Sequence, residues 1–191
     1  MKRILLALLL LGACRAEPEA PPPTAMTPES VGHYCQMNVL EHPGPKAQVH
    51  LKDVLDPLFF SQVRDAIAYQ RMPEQAAEIE AIYVSDMAHA PSWDQPGAEN
   101  WVALDQAVFV VGSSRTGGMG AAETVPFSDP KAAAAFAAQF GGQVMALEDI
   151  PDAEVLEAAD KPADTSSTPP AGPDDYTARL RALSQPAESQ P

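Results

Sequence analysis

The sequence predicts an α+β fold made of two small repeated units packed together. Three observations carry this. Apolar and polar residues alternate between Lys46 and Val54, which is the period of a strand. Asp56-Pro57 stands before a run with helical spacing and recurs as Asp129-Pro130, the pattern of an N-cap acid followed by proline in the first turn. A further apolar stretch of β-formers follows each helical run, so strands, a helix and a strand occur in the same order twice.

In the first strand Ala47, Val49 and Leu51 share one side and Gln48, His50 and Lys52 the other. This reads as a half-buried strand with His50 turned outward to solvent. From Asp56-Pro57 the spacing predicts a helix with Phe60, Val63 and Ile67 on one face. That helix must stop by Met72, because the residue before Pro73 is pushed out of the helical region. Glu78 to Ser85 reads as the strand that closes the unit. Trp101–Leu104 and Ala107–Val111 read as two short strands opening the second unit. Asp129-Pro130 then starts an Ala-rich helix with Phe136 and Phe140 along it, Gly141-Gly142 stops it, and Gln143–Leu147 closes the repeat.

The flanks differ in kind. Residues 1–14 combine a basic start (Lys2, Arg3), an apolar run from Ile4 to Leu11, and Leu11-Gly12-Ala13-Cys14. The apolar run is far below the roughly 20 residues needed to span a bilayer, so it reads as an export signal. The four residues ending in Cys14 resemble the lipobox of bacterial lipoproteins, which implies that Cys14 becomes the lipidated first residue of the exported protein. Residues 15–32 are rich in Pro, Ala and Glu and read as a flexible tether. Residues 150–191 read as an acidic, Pro-rich disordered tail, in which 175–184 forms at most one weak helix. The folded body is then 33–149.

Net charge is −14, and loss of residues 1–13 with Lys2 and Arg3 takes it to −16. No basic footprint is left for nucleic acid, and anionic headgroups would repel the chain, so membrane attachment needs a lipid or a span rather than surface charge. The chain contains two cysteines. With Cys14 lipidated, Cys35 is a solitary thiol in an oxidising compartment, where structural cysteines normally pair.

Cys35 lies in His33-Tyr34-Cys35-Gln36-Met37-Asn38. In an extended chain Cys35 and Met37 would face the same side, with the sulfurs converging. Thiolate and thioether are soft ligands that favour Cu(I), whereas zinc and calcium want other donor sets. The residues alone also allow Met37 as core packing and Cys35 as a small buried apolar residue, or Cys35 as a nucleophile activated by His33 or His42. Met119 sits in a glycine-rich loop, Arg115-Thr116-Gly117-Gly118-Met119-Gly120, able to present a thioether. His42 precedes a Pro-Gly-Pro turn that can fold it back. His33, Met87 and His89 are weaker ligand candidates. No Gly-x-Ser-x-Gly, HExxH or phosphate loop is present, so the chain is not expected to be an enzyme.

Cys35-Gln36-Met37 followed by Leu40-Glu41-His42-Pro43-Gly44-Pro45-Lys46-Ala47-Gln48-Val49 resembles the opening of the NosL family, accessory proteins of nitrous oxide reductase. The similarity continues through Tyr83-Val84-Ser85-Asp86, Trp101 to Gly112, and Gly118-Met119-Gly120, seven residues before Phe127. It covers about 33–149. The resemblance implies two ββαβ units and a lipid-anchored protein on the periplasmic side of a bacterial membrane. It further implies Cu(I) as cargo, for which Cys35 and Met37 are the expected ligands; Met119-Gly120 looks like part of the family pattern, and His42 is a further ligand candidate from its place before the turn. The partners it implies are nitrous oxide reductase, during assembly of its copper–sulfur centre, and the machinery of that assembly. A homodimer sharing Cys35 thiolates is compatible with it. Many relatives have Gly where this chain has Gln36, a departure expected to matter little if that side chain points away from the metal. The alternatives are a metal-free lipoprotein adaptor and a thiol enzyme, since the ββαβ unit also resembles that of organomercurial lyases.

Overall fold

The structure, a computed structural model, describes residues 20–73 and 75–156. Its elements in chain order are β1 (Ala47–Leu51), β2 (Leu58–Phe60), α1 (Val63–Arg71), β3 (Ile79–Ser85), β4 (Trp101–Ala103), β5 (Val108–Val111), β6 (Val125–Phe127), α2 (Pro130–Phe140), β7 (Gln143–Met145) and α3 (Asp152–Leu156). They form two antiparallel sheets, β2-β1-β3-β4 and β6-β5-β7. In each, the first strand of a ββαβ unit lies between its second and third, so the α+β duplication expected from the sequence is present.

The equivalences differ from those the Asp-Pro pairs suggest. Asp129-Pro130 does start α2, with the Asp129 carboxylate accepting from the Lys131 amide at 2.9 Å. Asp56-Pro57 instead lies in the connection between β1 and β2, and α1 begins only at Val63. The reason is burial on two sides. Phe59 packs with Met26 and Val39 while Phe60 enters the main core, and a strand that pairs Phe60 with Ala47 buries both. The true counterparts are Phe60-Ser61 and Phe127-Ser128, each three residues from Phe to helix start. Val125–Phe127 is therefore the second strand of the second unit. Trp101–Ala103 belongs to the first sheet, at the edge beside β3.

One strand joins the units. In β5, Phe109 and Val111 pack into the core formed by β1, β2, α1 and β3, while Val110 faces Val125, Phe127 and Ala133. Asp86, at the end of β3, adds a polar clamp. Its Oδ1 accepts from the amides of Ala88 and Ser128 at 3.0 Å, and its Oδ2 from the Ser128 hydroxyl at 2.5 Å and His89 at 2.7 Å.

The flanks need correction where they are described. Residues 20–32, expected as tether, pack against the body. Thr24 donates its amide to Gln48 Oε1 (2.7 Å) and accepts from Gln48 Nε2 (2.9 Å), the Tyr83 hydroxyl donates to Pro21 (2.7 Å), and Met26 is buried. This strap covers the outer face of the first sheet, so β1 is buried on both sides. His50, expected to be exposed, is buried with Nε2 2.8 Å from Gln48 Oε1. Residues 150–156, expected to open the tail, dock onto α1. Arg71 donates to the carbonyls of Leu147 and Ile150 and to the Asp152 carboxylate, while Ile150 and Val155 are buried. Signal, Cys14, residues 15–19 and the tail from 157, with its weak helix, lie outside the described residues. No helix among the described residues is long and apolar enough to cross a membrane.

Burial raises the Asp86 pKa, but the bonds from Ser128, His89 and Ala88 outweigh it and hold the carboxyl below its usual range. A lowered native pKa stabilises above the unfolded value, about 3.9, and that contribution is lost as pH falls below it. Asp86→Ala, which strands the Ser128 and Ala88 amides, is expected to cost about 2–3 kcal/mol in urea denaturation at pH 7. The difference from wild type should shrink as pH falls below the ordinary carboxylate range, where the wild-type carboxyl too becomes protonated.

Candidate metal site

Gly32 to Met37 forms a tight turn instead of the extended segment expected. The Gly32 amide donates to the Met37 carbonyl at 2.9 Å and the Gln36 amide to the Gly32 carbonyl at 2.8 Å. Gln36 has φ 55°, in the left-handed region, which reverses the chain. Its side-chain amide donates to the His33 carbonyl at 2.7 Å, closing the turn. The middle residue thus has a structural role that a glycine would fill through conformational freedom alone. The His33 amide bonds the Phe59 carbonyl at 2.6 Å, which seats the turn on β2.

Cys35 is half-buried in this turn and is a free thiol. Its Sγ accepts from the Ser61 hydroxyl at 3.6 Å and lies 3.8 Å from the Met37 carbonyl. Met37 is 43% exposed. Ser61 and Gln62 follow β2 directly, so the start of α1 forms one wall of the site.

The second unit supplies the other wall. Residues 115–123 fold as a hairpin, with Thr116 bridged to Ala122 and the Gly117 amide bonded to the Ala121 carbonyl. Arg115 anchors its base, its guanidinium lying 4.3 Å from the Trp93 ring centre and 5.2 Å from that of Phe140. At the tip, the Met119 amide donates to Gln62 Oε1 at 2.9 Å. Gly118 is wedged so closely that a Cβ there would lie 2.6 Å from His42 Cβ and 2.9 Å from the Ser61 carbonyl. Met119 is 46% exposed. The hairpin therefore reaches across to Ser61, the residue in contact with Cys35.

His42 touches the same tip. Its Nδ1 lies 3.1 Å from the Gly118 carbonyl, which can only accept, so a neutral ring carries its proton there and keeps the Nε2 lone pair. Nε2 is buried and has no hydrogen-bond partner. The weaker candidates are held elsewhere. His33 packs against the rings of Tyr34, Phe60 and Tyr69 at 5.2–5.6 Å. Met87 packs on the second core, His89 is bonded to Asp86, and His50 lies under the strap.

Two buried ionisable groups underlie the site, and sequence reading singled out neither. Lys46 folds back to the carbonyls of Pro43 (3.1 Å) and Gly44, bracing the turn after His42. Burial lowers its pKa from 10.5 to about 8, against the opposing influence of Glu123. Glu123, at the end of the hairpin, accepts at Oε1 from the amides of Arg64 (3.1 Å) and Thr124 (2.9 Å). Burial pushes its carboxyl from 4.5 up to about 8, with those two amides opposing the rise.

Chemically this is a soft-donor edge. A half-buried thiol lies in a turn flanked in sequence by the exposed Val31, Tyr34, Met37 and Leu40, and the hairpin tip seated on neighbouring Ser61 carries the exposed Met119. No group of three or more His, Cys, Asp or Glu able to hold a metal occurs among the described residues. Together they define a duplicated ββαβ protein whose two halves meet at a sulfur-bearing edge.

Comparison with known proteins gives the family. The NosL family model matches residues 23–155, and the chain belongs to that family. A relative in Achromobacter cycloclastes, named copper-binding lipoprotein NosL, is 59% identical over 183 residues, covering 95% of this chain and 93% of that one. A relative of the same name in Stutzerimonas stutzeri is 30% identical over 158 residues, covering 82% and 81%. The crystal structure of the copper chaperone NosL from Shewanella denitrificans matches with a TM-score of 0.63 at 35% identity, over 70% of this chain and 99% of that one. The match from residue 23 takes in part of the strap.

Two outcomes follow. Gly118→Ala is expected to cost about 1–3 kcal/mol, the usual range for overpacking a tight contact, and to speed hydrogen exchange at the Met119 amide. Native Glu123 keeps its proton where the unfolded carboxyl has lost it, so its contribution is full below pH 4.5 and is lost as pH rises toward about 8. Burial raises the Asp65 pKa too, adding a slope of the same sign. Melting temperature should therefore fall between pH 5 and 8, and Glu123→Gln should flatten that fall.

Proposed function

We propose that this protein is a lipid-anchored Cu(I) metallochaperone on the periplasmic side of a bacterial membrane, delivering copper for the copper–sulfur centre of nitrous oxide reductase. Family membership and the copper-binding and chaperone names of its relatives support the cargo and the carrier role. The observation that carries the reading is the position of Cys35. It is a free, half-buried thiol in a turn with the thioether of Met37, and the hairpin bearing Met119 is seated on Ser61 beside it. Thiolate and thioether donors suit Cu(I).

In this reading Cys35 and Met37 are the principal ligands, Met119 is the third, and His42 Nε2 is a reserve donor whose ring also supports the hairpin tip. Binding replaces the Cys35 S–H proton by copper and releases it to solvent. Because Met37 and Met119 are exposed, a partner's ligands can displace them one at a time, Cys35 last. The thiolate takes up a proton again when copper leaves. Cys14 carries the lipid, and export through the signal at residues 1–14 places the body outside the cytoplasm. A nucleophile reading of Cys35 has weaker support, since its nearest polar contacts are the Ser61 hydroxyl and the Met37 carbonyl, neither of them a general base of the usual kind.

The test is anaerobic Cu(I) titration of the mature lipoprotein in detergent against a competing chelator. Cys35→Ala is expected to abolish tight binding. Met37→Ala and Met119→Ala are each expected to weaken it about ten- to a hundredfold, the effect of losing about 1.4–2.8 kcal/mol. Weak binding indifferent to all three substitutions would sink the copper reading and leave the adaptor.

A further inference from the structure

Gln62 and Glu123 are buried polar side chains that converge on the hairpin from opposite ends. Glu123 is wholly enclosed, and its Oε2 has no hydrogen-bond partner. That oxygen is turned toward Gly117. A Cβ on Gly117 would run into Glu123 Oε2 and would also lie 2.8 Å from Gln62 Oε1. The absent side chain at 117 is what lets the hairpin approach both groups. Gln62 Oε1 accepts from Met119 N–H, and Gln62 Nε2 donates to Asp65 at 3.2 Å. Glu123 Oε1 accepts from Arg64 N–H in the first turn of α1. Gln62, at the N-cap position, makes no side-chain cap bond of its own. The helix is capped by the other unit's hairpin, while the residue in its cap position holds that hairpin's tip.

We propose that Glu123 and Gln62 are positioning residues for copper: they fix the 115–123 hairpin to the N-terminus of α1 and so set Met119 at the Cys35 edge. This rests on the copper reading above. Burying a carboxyl where no cation is bonded to it is unfavourable, so an apolar residue would serve packing alone better. The acid is suited to accepting from two backbone amides of two different elements, Arg64 in α1 and Thr124 at the start of β6. Lys46, Asp65 and Arg64 are its charged neighbours. With burial keeping the carboxyl protonated at neutral pH, glutamine reproduces its size, its acceptor and its neutrality, whereas alanine removes all three.

The experiment uses the mature lipoprotein in detergent, with Cu(I) affinity by chelator competition and amide exchange at Met119 in the metal-free state. Glu123→Ala and Gln62→Ala should each speed Met119 exchange at least tenfold and weaken Cu(I) about tenfold. In a Met119→Ala background neither should weaken Cu(I) further, because the ligand they place is already gone. Glu123→Gln should stay within about twofold of wild type in both measurements, the margin expected of an isosteric neutral substitute. Equal losses with and without Met119 would overturn the proposal, as would unchanged exchange in folded Glu123→Ala or a failure of Glu123→Gln to rescue. Should Glu123→Ala not fold, Gln62→Ala alone decides. If wild type binds no Cu(I) tightly, the copper reading falls, and the exchange rates separately decide whether these residues hold the hairpin.

Discussion

Burial of β5 on both faces is the constraint from which the rest of the architecture follows. A strand with one wet face could end a sheet. One with Phe109 and Val110 both fully buried must have a partner layer on each side. The first unit covers Phe109 and the second covers Val110, so the two repeats cannot separate without exposing one or the other. The chain leaves β5 at Val111 and returns at β6, and the hairpin at 115–123 lies on that excursion. Its reach to Ser61 and Gln62 is therefore set by a core contact some distance away. The Asp86 clamp reinforces the same relation from the opposite side of the units.

Electrostatics are arranged in an unexpected way for so acidic a chain. A net charge of −14 favours solubility. Of the buried ionisable groups, Lys46 and Glu123 are the most enclosed, and each is given backbone partners in preference to a direct ion pair. Lys46 is spent on the carbonyls of the turn after His42, and Glu123 on the amides of α1 and β6. Polar burial here rigidifies the scaffold around a surface whose own side chains are apolar or sulfur-bearing.

Much of this was legible in the residues. Period-two alternation located β1, Pro73 and Gly141 marked the ends of the two helices, and Asp129-Pro130 marked the start of the second. The duplication was legible too, although through the wrong landmark. Asp-Pro serves a turn as well as a cap, and only pairing partners decide between them, as Phe60 with Ala47 shows. The short strand Val125–Phe127 was missed because three residues carry little periodicity. The strap was missed for a different reason: Pro-rich segments look solvated by composition, yet the backbone groups of Thr24 and Pro21 are held by the side chains of Gln48 and Tyr83, which no composition reveals. At the site, Cys35, Met37, Met119 and His42 drew notice by chemical type. Ser61, Gln62 and Glu123 did not, because their importance comes from contacts between residues far apart in sequence.

The strap has a consequence for where this protein can work. The strap is held to the body from Pro21, whose carbonyl accepts from the Tyr83 hydroxyl, seven residues beyond Cys14. If the lipid sits on Cys14 as proposed, those seven peptide steps span at most about 25 Å. A tether running to residue 32 would have allowed more than twice that reach. In the proposed lipoprotein such a leash would hold the body in a thin shell at the bilayer, raising its effective concentration toward partners in the same membrane and lowering it toward soluble ones. Exchange of cargo under that geometry favours donors and acceptors that come to the membrane surface over a carrier that travels to them.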